Sequence, residues 1–176
     1  MTYKIMLVDD EPANLRTLLR LFRDEHQVFA VGSGKQALTL LRQHDVAVMI
    51  SDQRMPLMTG IELMKKAVEL RPQMVKILLT GYTDVDALIE SINCGLVYRY
   101  LTKPWNNDDL KLTVKRALDH YETMKTKHLV AMENKRLRAR LISLSEMAID
   151  GLNVSDGVAD RGFGGFMPAR QCEVIG

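Results

Sequence analysis

The stretch "VAVMISDQRMPLMTG", residues 46–60, runs apolar through Ile50, then delivers Ser51 and Asp52 before a proline and a glycine. A run that short and rich in β-branched residues suits a buried strand better than a buried helix. Four more runs of the same kind flank it: "KIMLVD" (4–9), "VFAV" (28–31), "VKILLT" (75–80) and "VYRYL" (97–101). Helical patterns lie between them. In the first, Leu15, Leu18, Leu19 and Phe22 share a face, and Pro12 stands near the helix start, where its missing N–H costs little. Others are expected over 34–43, 59–70 and 84–94, with Thr59 and Thr83 or Asp84 as N-caps. Strand–helix alternation with near-continuous apolar strands predicts a parallel sheet covered on both faces. Five such units make a flavodoxin-like (βα)5 doubly wound α/β domain, whose ligands sit outside the carboxyl ends of the strands.

Bulk properties narrow the field further. The chain has 176 residues, enough for one ordinary domain and something smaller. A net charge of +2 gives no global argument for nucleic acid or acidic partners. Cys94 and Cys172 are the only cysteines and have no histidine at ligand spacing, which argues against a disulfide framework or zinc site. The N-terminus reaches two aspartates by residue 10, so it is no secretion signal, and no apolar run approaches the ~18 residues that span a bilayer. A cytoplasmic protein with no membrane association is expected.

From about Asn107 the pattern changes. No glycine or proline occurs between Pro104 and Gly151, and Asn107 or Asp108 is the expected cap. Leu110, Val114, Ala117, Leu118 and Tyr121 form a face suited to packing on the sheet. Beyond it, Val130, Asn134, Leu137, Leu141, Leu144 and Ala148 recur at alternating spacings of four and three, a short heptad seam with Asn134, Leu141 and Ala148 at a and Val130, Leu137 and Leu144 at d. Two arrangements fit: an extended C-terminal helix that pairs with a copy of itself in a coiled coil, or an amphipathic helix folded back on its own domain. Nine Lys/Arg against three acids between 111 and 140 suit a solvated helix exterior, because no aromatic interleaving or second recognition helix makes a nucleic-acid surface. The organisation expected is a domain at 1–122, a helical extension at 123–148, and a Gly-rich tail at 149–176 that is poorly ordered or begins another domain.

The chemistry gathers at the strand ends. The first strand finishes in Asp9, Asp10 and Glu11, the third in Asp52, the fourth in Thr80 and Gly81, and Lys103-Pro104 comes after the fifth. In a parallel sheet these share one edge. Three close carboxylates cannot all ionise without compensation. A hard divalent cation such as Mg²⁺, held through oxygens, is the natural compensator. A carboxylate in that setting is a candidate nucleophile toward phosphorus, and the metal, Lys103 and the Thr80 hydroxyl would gather the phosphoryl oxygens. Gly60 and Gly81 suit tight strand-to-helix turns.

The set Asp9-Asp10, Asp52, Thr80 and Lys103-Pro104 resembles the receiver domain of two-component response regulators, over residues 3 to about 122. "SDQRMPLMTG", "ILLTGYTD" and "YRYLTKPW" are especially similar to receivers that precede helical linkers and larger output domains, including regulators of hydrogenase synthesis and cyclic-di-GMP phosphodiesterase regulators. The resemblance implies that Asp52 accepts a phosphoryl group from a histidine kinase or phosphotransfer protein. It implies that Asp10 ligates Mg²⁺ directly, that Asp9 does so through water or by orienting it, and that the Arg54 backbone carbonyl is a further ligand. Lys103 would hold a phosphoryl oxygen, Thr80 would move toward the phosphate, and Tyr100 would be the aromatic switch residue. The Lys103–Pro104 bond is cis in the family. Arg54 and Tyr82 sit where the family varies, and bulk there would restrict water and lengthen the life of the acyl phosphate.

Two functional readings fit this sequence. One is a phosphorylation-switched module, not an enzyme in its own right, read out by homodimerisation or partner binding. The other is the regulatory front of a larger signalling enzyme: a phosphodiesterase, cyclase or kinase. A nucleotide-binding flavodoxin-like protein is disfavoured because "DDEPAN" stands where a glycine-rich phosphate loop would be needed. Direct DNA binding is disfavoured because no helix-turn-helix fits after residue 122.

Overall fold

All five apolar runs form strands: β1 Lys4–Val8, β2 Gln27–Val31, β3 Val48–Asp52, β4 Val75–Thr80 and β5 Arg99–Thr102. They pair in parallel in the order β2-β1-β3-β4-β5. The computed structural model of the chain describes residues 1–81 and 95–155, with side chains through residue 147. The helix expected at 84–94, its caps, Tyr82 and residues 156–176 lie outside the described residues. Strand ends differ from expectation by a residue or two. Val46 and Ala47 are buried yet precede β3, and Val97 is buried yet precedes β5, because a hydrophobic pattern marks burial whereas a ladder needs paired backbone groups.

Successive side chains on each strand point to opposite faces. One face presents Ile5, Leu7, Ile50, Ile77 and Leu79 to helix α1 (Pro12–Phe22) and the start of the C-terminal helix (Asn107–Ser155). The other presents Met6, Val8, Met49 and Leu78 to α2 (Gly34–Gln43) and α3 (Gly60–Leu70). Each fully buried aliphatic side chain here stabilises the fold by about 1.5–3 kcal/mol. This two-faced burial is why the central strands β1, β3 and β4 read as near-continuous apolar runs, whereas the edge strands β2 and β5 are more exposed. The exception is Lys76, buried in β4, whose ammonium donates to the Met74 carbonyl at 3.0 Å; burial pushes its pKa down.

Helix starts obey local chemistry. Pro12 opens α1, and the Ser33 hydroxyl caps α2 by accepting from the Gln36 N–H. Thr59 and Glu62 form a reciprocal capping box at the start of α3. The C-terminal helix is capped by Asn106, not by Asn107 or Asp108. Its Oδ1 accepts from the Asp108 and Asp109 N–H groups at 2.8 and 3.2 Å. The two aspartates therefore lie within the first turn, where negative charge complements the helix dipole.

The chain divides into two units, Met1–Val130 and Ala131–Gly176. In the first, the expected face of the C-terminal helix is buried at Leu110, Val114, Ala117, Leu118 and Tyr121, with Thr113 beside them. Side chains from Thr123 to Val130 are exposed. In the second, the helix continues past residue 148, through Gly151, to Ser155. A single glycine costs about 1 kcal/mol in a propagating helix, which does not stop it. No helix among the described residues is long and apolar enough to cross a membrane.

His26, after α1, has its Nδ1 buried without a hydrogen-bond partner among the described residues. Burial lowers its pKa, with Glu25 pulling it up and the N-terminal ammonium pushing it down again. The folded chain therefore favours neutral imidazole, and the unfolded chain takes up the proton more readily. The contribution is intact above about pH 6.5 and is lost as pH falls toward the lower folded value. In urea unfolding, the midpoint drop between about pH 7.5 and about pH 5.5 is expected to shrink in His26→Phe; an unchanged drop would remove His26 as its source.

Candidate functional site

In the order β2-β1-β3-β4-β5 the chain reverses its direction of travel across the sheet between β1 and β3, which leaves a crevice at their carboxyl ends. The register pairs Val8 with Ser51, so the next residues, Asp9 and Asp52, stand side by side at this switch point. Asp9 is fully buried, Asp52 nearly so, and Asp10 is exposed. One carboxylate oxygen from each of Asp9, Asp10 and Asp52 lies within 4.8 Å of the others.

Lys103 comes from the far side of β4. Its backbone N–H donates to the Thr80 carbonyl at 2.8 Å. Its Nζ lies 2.9 Å from Asp9 Oδ2 and 2.8 Å from Asp52 Oδ1. Burial acts to lower the Lys103 pKa, but the hydrogen bonds and charges of Asp52 and Asp9 prevail and hold it raised. The Asp52 carboxyl is pushed up by burial, pulled back by Lys103, and pushed up again by Asp9. Three carboxylates against one ammonium leave two formal negative charges uncompensated among these four side chains. That imbalance and the all-oxygen donor set fit a hard divalent cation of the Mg²⁺ type.

Thr80 ends β4 at the same edge, buried, with its hydroxyl donating to the Gly81 carbonyl at 2.9 Å. Tyr100, opposite Leu78 in the β4–β5 ladder, is 44% exposed. It lies on a surface with Tyr98, Leu112 and Arg116, away from the carboxylates. Arg54, two residues past Asp52, is exposed. The Lys103–Pro104 bond is cis.

Two positioning residues, Asn14 and Gln53, escaped the sequence reading, and Glu11, expected at the strand end, acts through its backbone N–H. Asn14, in the first turn of α1, donates from Nδ2 to both Asp9 oxygens at 3.2 and 3.1 Å and to Glu11 Oε2 at 2.9 Å. The Glu11 N–H adds 2.9 Å to Asp9 Oδ1, so the buried carboxylate is satisfied and its rotamer held. Gln53 is buried; its Oε1 accepts from the Ile61 N–H at 3.2 Å and its carbonyl accepts from the Gly60 N–H at 3.0 Å, tying α3 to the end of β3. A polar residue one place from a strand-end aspartate was the available signal for Gln53.

Gly60 has a different reason from the tight turn expected of it. A Cβ there would lie 2.4 Å from the Asp52 carbonyl oxygen and 2.6 Å from Leu78 Cδ1. It is a close approach of helix to strand, not a conformational requirement. Around Gly81 a Cβ would meet nothing within 4 Å among the described residues.

A family model described as the response regulator receiver domain matches residues 5–115. The hydrogenase transcriptional regulatory protein HoxA of Cupriavidus necator is 38% identical over 115 residues, which cover 65% of this chain and 24% of that protein. A solved structure described as adenylate cyclase from Rhodopirellula baltica superposes with a TM-score of 0.72 at 33% identity, covering 74% of this chain and 97% of that one. A CheY-like response regulator receiver domain protein from Methanospirillum hungatei gives 0.66 at 30% identity, covering 70% and 99%. The chain spans about a quarter of the length of the curated relatives it matches.

Proposed function

The chain belongs to the response regulator receiver family, and from that premise we propose that Asp52 accepts a phosphoryl group from the phosphohistidine of a kinase or phosphotransfer protein. The observation that carries this is the ion-paired carboxylate set at the switch point, with Lys103 Nζ 2.8 Å from Asp52 Oδ1. An Asp52 oxygen attacks phosphorus, the P–N bond breaks, and its electron pair returns to the donor imidazole. The product is an acyl phosphate. Lys103 turns from carboxylate partner to holder of a phosphoryl oxygen, and its charge opposes the negative charge that gathers in transfer. Asn14 and Glu11 keep Asp9 oriented while this happens. Asp9, Asp10, Asp52 and the Arg54 backbone carbonyl are the proposed Mg²⁺ ligands. When bound, the ion neutralises charge on the transferred group and aligns it for attack.

The acyl phosphate adds close to two negative charges and three acceptor oxygens at the end of β3. In this reading Thr80, one strand away, turns its hydroxyl from the Gly81 carbonyl toward them, and Tyr100 moves inward from the surface behind it. The surface formed by Tyr98, Tyr100, Leu112 and Arg116 then differs between states, and Leu112 and Arg116 belong to the C-terminal helix. Homodimerisation or partner binding through that helix is the proposed readout. A second reading, the regulatory front of a larger signalling protein, is supported by the quarter-length match to curated relatives and by the likeness to a structure described as adenylate cyclase. It uses the same acceptor and differs only in the output that the helix would drive.

The test is labelling by phosphoramidate, a donor with the same P–N bond. Hydroxylamine-labile phosphate is expected with Mg²⁺ and none after chelation with EDTA. Equal labelling in both conditions would remove the metal from the reading.

A further inference from the structure

Resting on the reading of the C-terminal helix as the output element, we propose that residues 134–144 pair with the same segment of a second copy in a parallel, in-register, two-stranded coiled coil. Leu137, Leu141 and Leu144 are 49%, 65% and 52% exposed, so the seam has no cover among the described residues. Asn134 lies on the same seam and is also exposed.

Asn134 decides the orientation. When two helices run parallel and in register, each a position faces its own copy, and the two Asn134 amides hydrogen-bond each other. When they run antiparallel, each a position faces a d position. The seam's d residues Val130, Leu137 and Leu144 are all aliphatic, so an antiparallel register that sets Asn134 against any of them buries the amide against a side chain that cannot bond it. A parallel pair slipped by one heptad fails likewise, by setting Asn134 against Leu141.

The flanking charges agree. With Asn134 at a, Glu133 and Arg140 are g positions and Arg138 is e. Parallel in-register pairing brings Glu133 of each copy to Arg138 of the other, giving two symmetric ion pairs. The antiparallel register centred on Leu137 and Leu141 sets Arg138 against Arg138 and Arg140 against Arg140. Sliding it by seven residues does bring Glu133 to Arg140, but it seats Lys127 against Leu144 and leaves Asn134 against Leu137. Specificity thus comes from both attraction in one arrangement and repulsion or an unpaired amide in the others.

The experiment uses the full chain with Cys94 and Cys172 replaced by serine. Leu137→Cys alone is expected to form a covalent dimer under mild oxidation, because a d residue faces itself. Preferential cross-linking of a Leu137→Cys and Leu141→Cys mixture would overturn the orientation. A monomer by sedimentation, with Asp52 either phosphorylated by phosphoramidate or not, would overturn the pairing. Arg138→Glu is expected to weaken the dimer about tenfold, and Glu133→Arg with Arg138→Glu to restore it. Asn134→Val should tighten association and lose the homotypic preference. Label on Asp52 is measured on the same samples: normal labelling without cross-links sinks the pairing alone, and cross-links without label support the pairing while sinking the acceptor.

Discussion

Asp52→Asn is expected to abolish phosphoryl acceptance from phosphoramidate to background, with secondary structure and cooperative unfolding retained. The substitution keeps shape and replaces the anionic oxygen with an amide that cannot attack phosphorus. The fold survives because Lys103 keeps its second carboxylate, Asp9, at 2.9 Å. One of three closely spaced negative groups is removed, which relieves repulsion and does not strand a charge. Hydroxylamine-labile phosphate measured by intact mass checks it. Label persisting at another residue would reassign the acceptor, and loss of cooperative unfolding would show the carboxylate to be structural.

Gly60→Ala is expected to damage both stability and the site, from the opposite side of the loop. A methyl at this position would sit 2.4 Å from the Asp52 carbonyl oxygen and 2.6 Å from Leu78 Cδ1. The leucine can shift, but the carbonyl belongs to the backbone of β3, where Gln53 N–H bonds the Leu79 carbonyl at 2.9 Å. Either α3 lifts from the sheet or the strand end moves. Overpacking of this kind costs about 1–3 kcal/mol. Displacing the backbone that carries Asp52 should also slow labelling, since geometry is most of what phosphoryl transfer needs. Urea unfolding and initial labelling rate measure the two effects. Gly81→Ala is the control, expected to change packing little. Equal behaviour of the two variants would remove the close-approach argument.

Much of this molecule was legible before its fold was known, and particular residues show why. Two-faced burial writes itself into β1, β3 and β4 as an apolar run, and the more exposed edge strands β2 and β5 were readable, also to within two residues, from their β-branched and aromatic content. Capping chemistry is similarly local: Thr59 with Glu62 three places on satisfies backbone donors within a single turn. The C-terminal helix start was misplaced by one or two residues because Asn106, Asn107, Asp108 and Asp109 are all competent caps, and only the entry path of the chain selects Asn106. The strand-end carboxylates, threonine and lysine were placed at one edge by topology alone.

Their partners were not. Asn14 and Asp9 are five residues apart, yet a helix face and a strand end meet there only once α1 is packed on the sheet. Lys103 and Asp9 are 94 residues apart and join through the register of four strands. Gly60 was expected for a turn and serves a contact. Periodicity and caps depend on neighbours in the chain, so the sequence by itself determined the element types, their approximate bounds and the edge where the carboxylates gather. Register and helix–sheet distance arise from packing between distant segments, so only the tertiary structure decided which groups hold Asp9, which backbone crowds Gly60, and that one ammonium bridges two carboxylates.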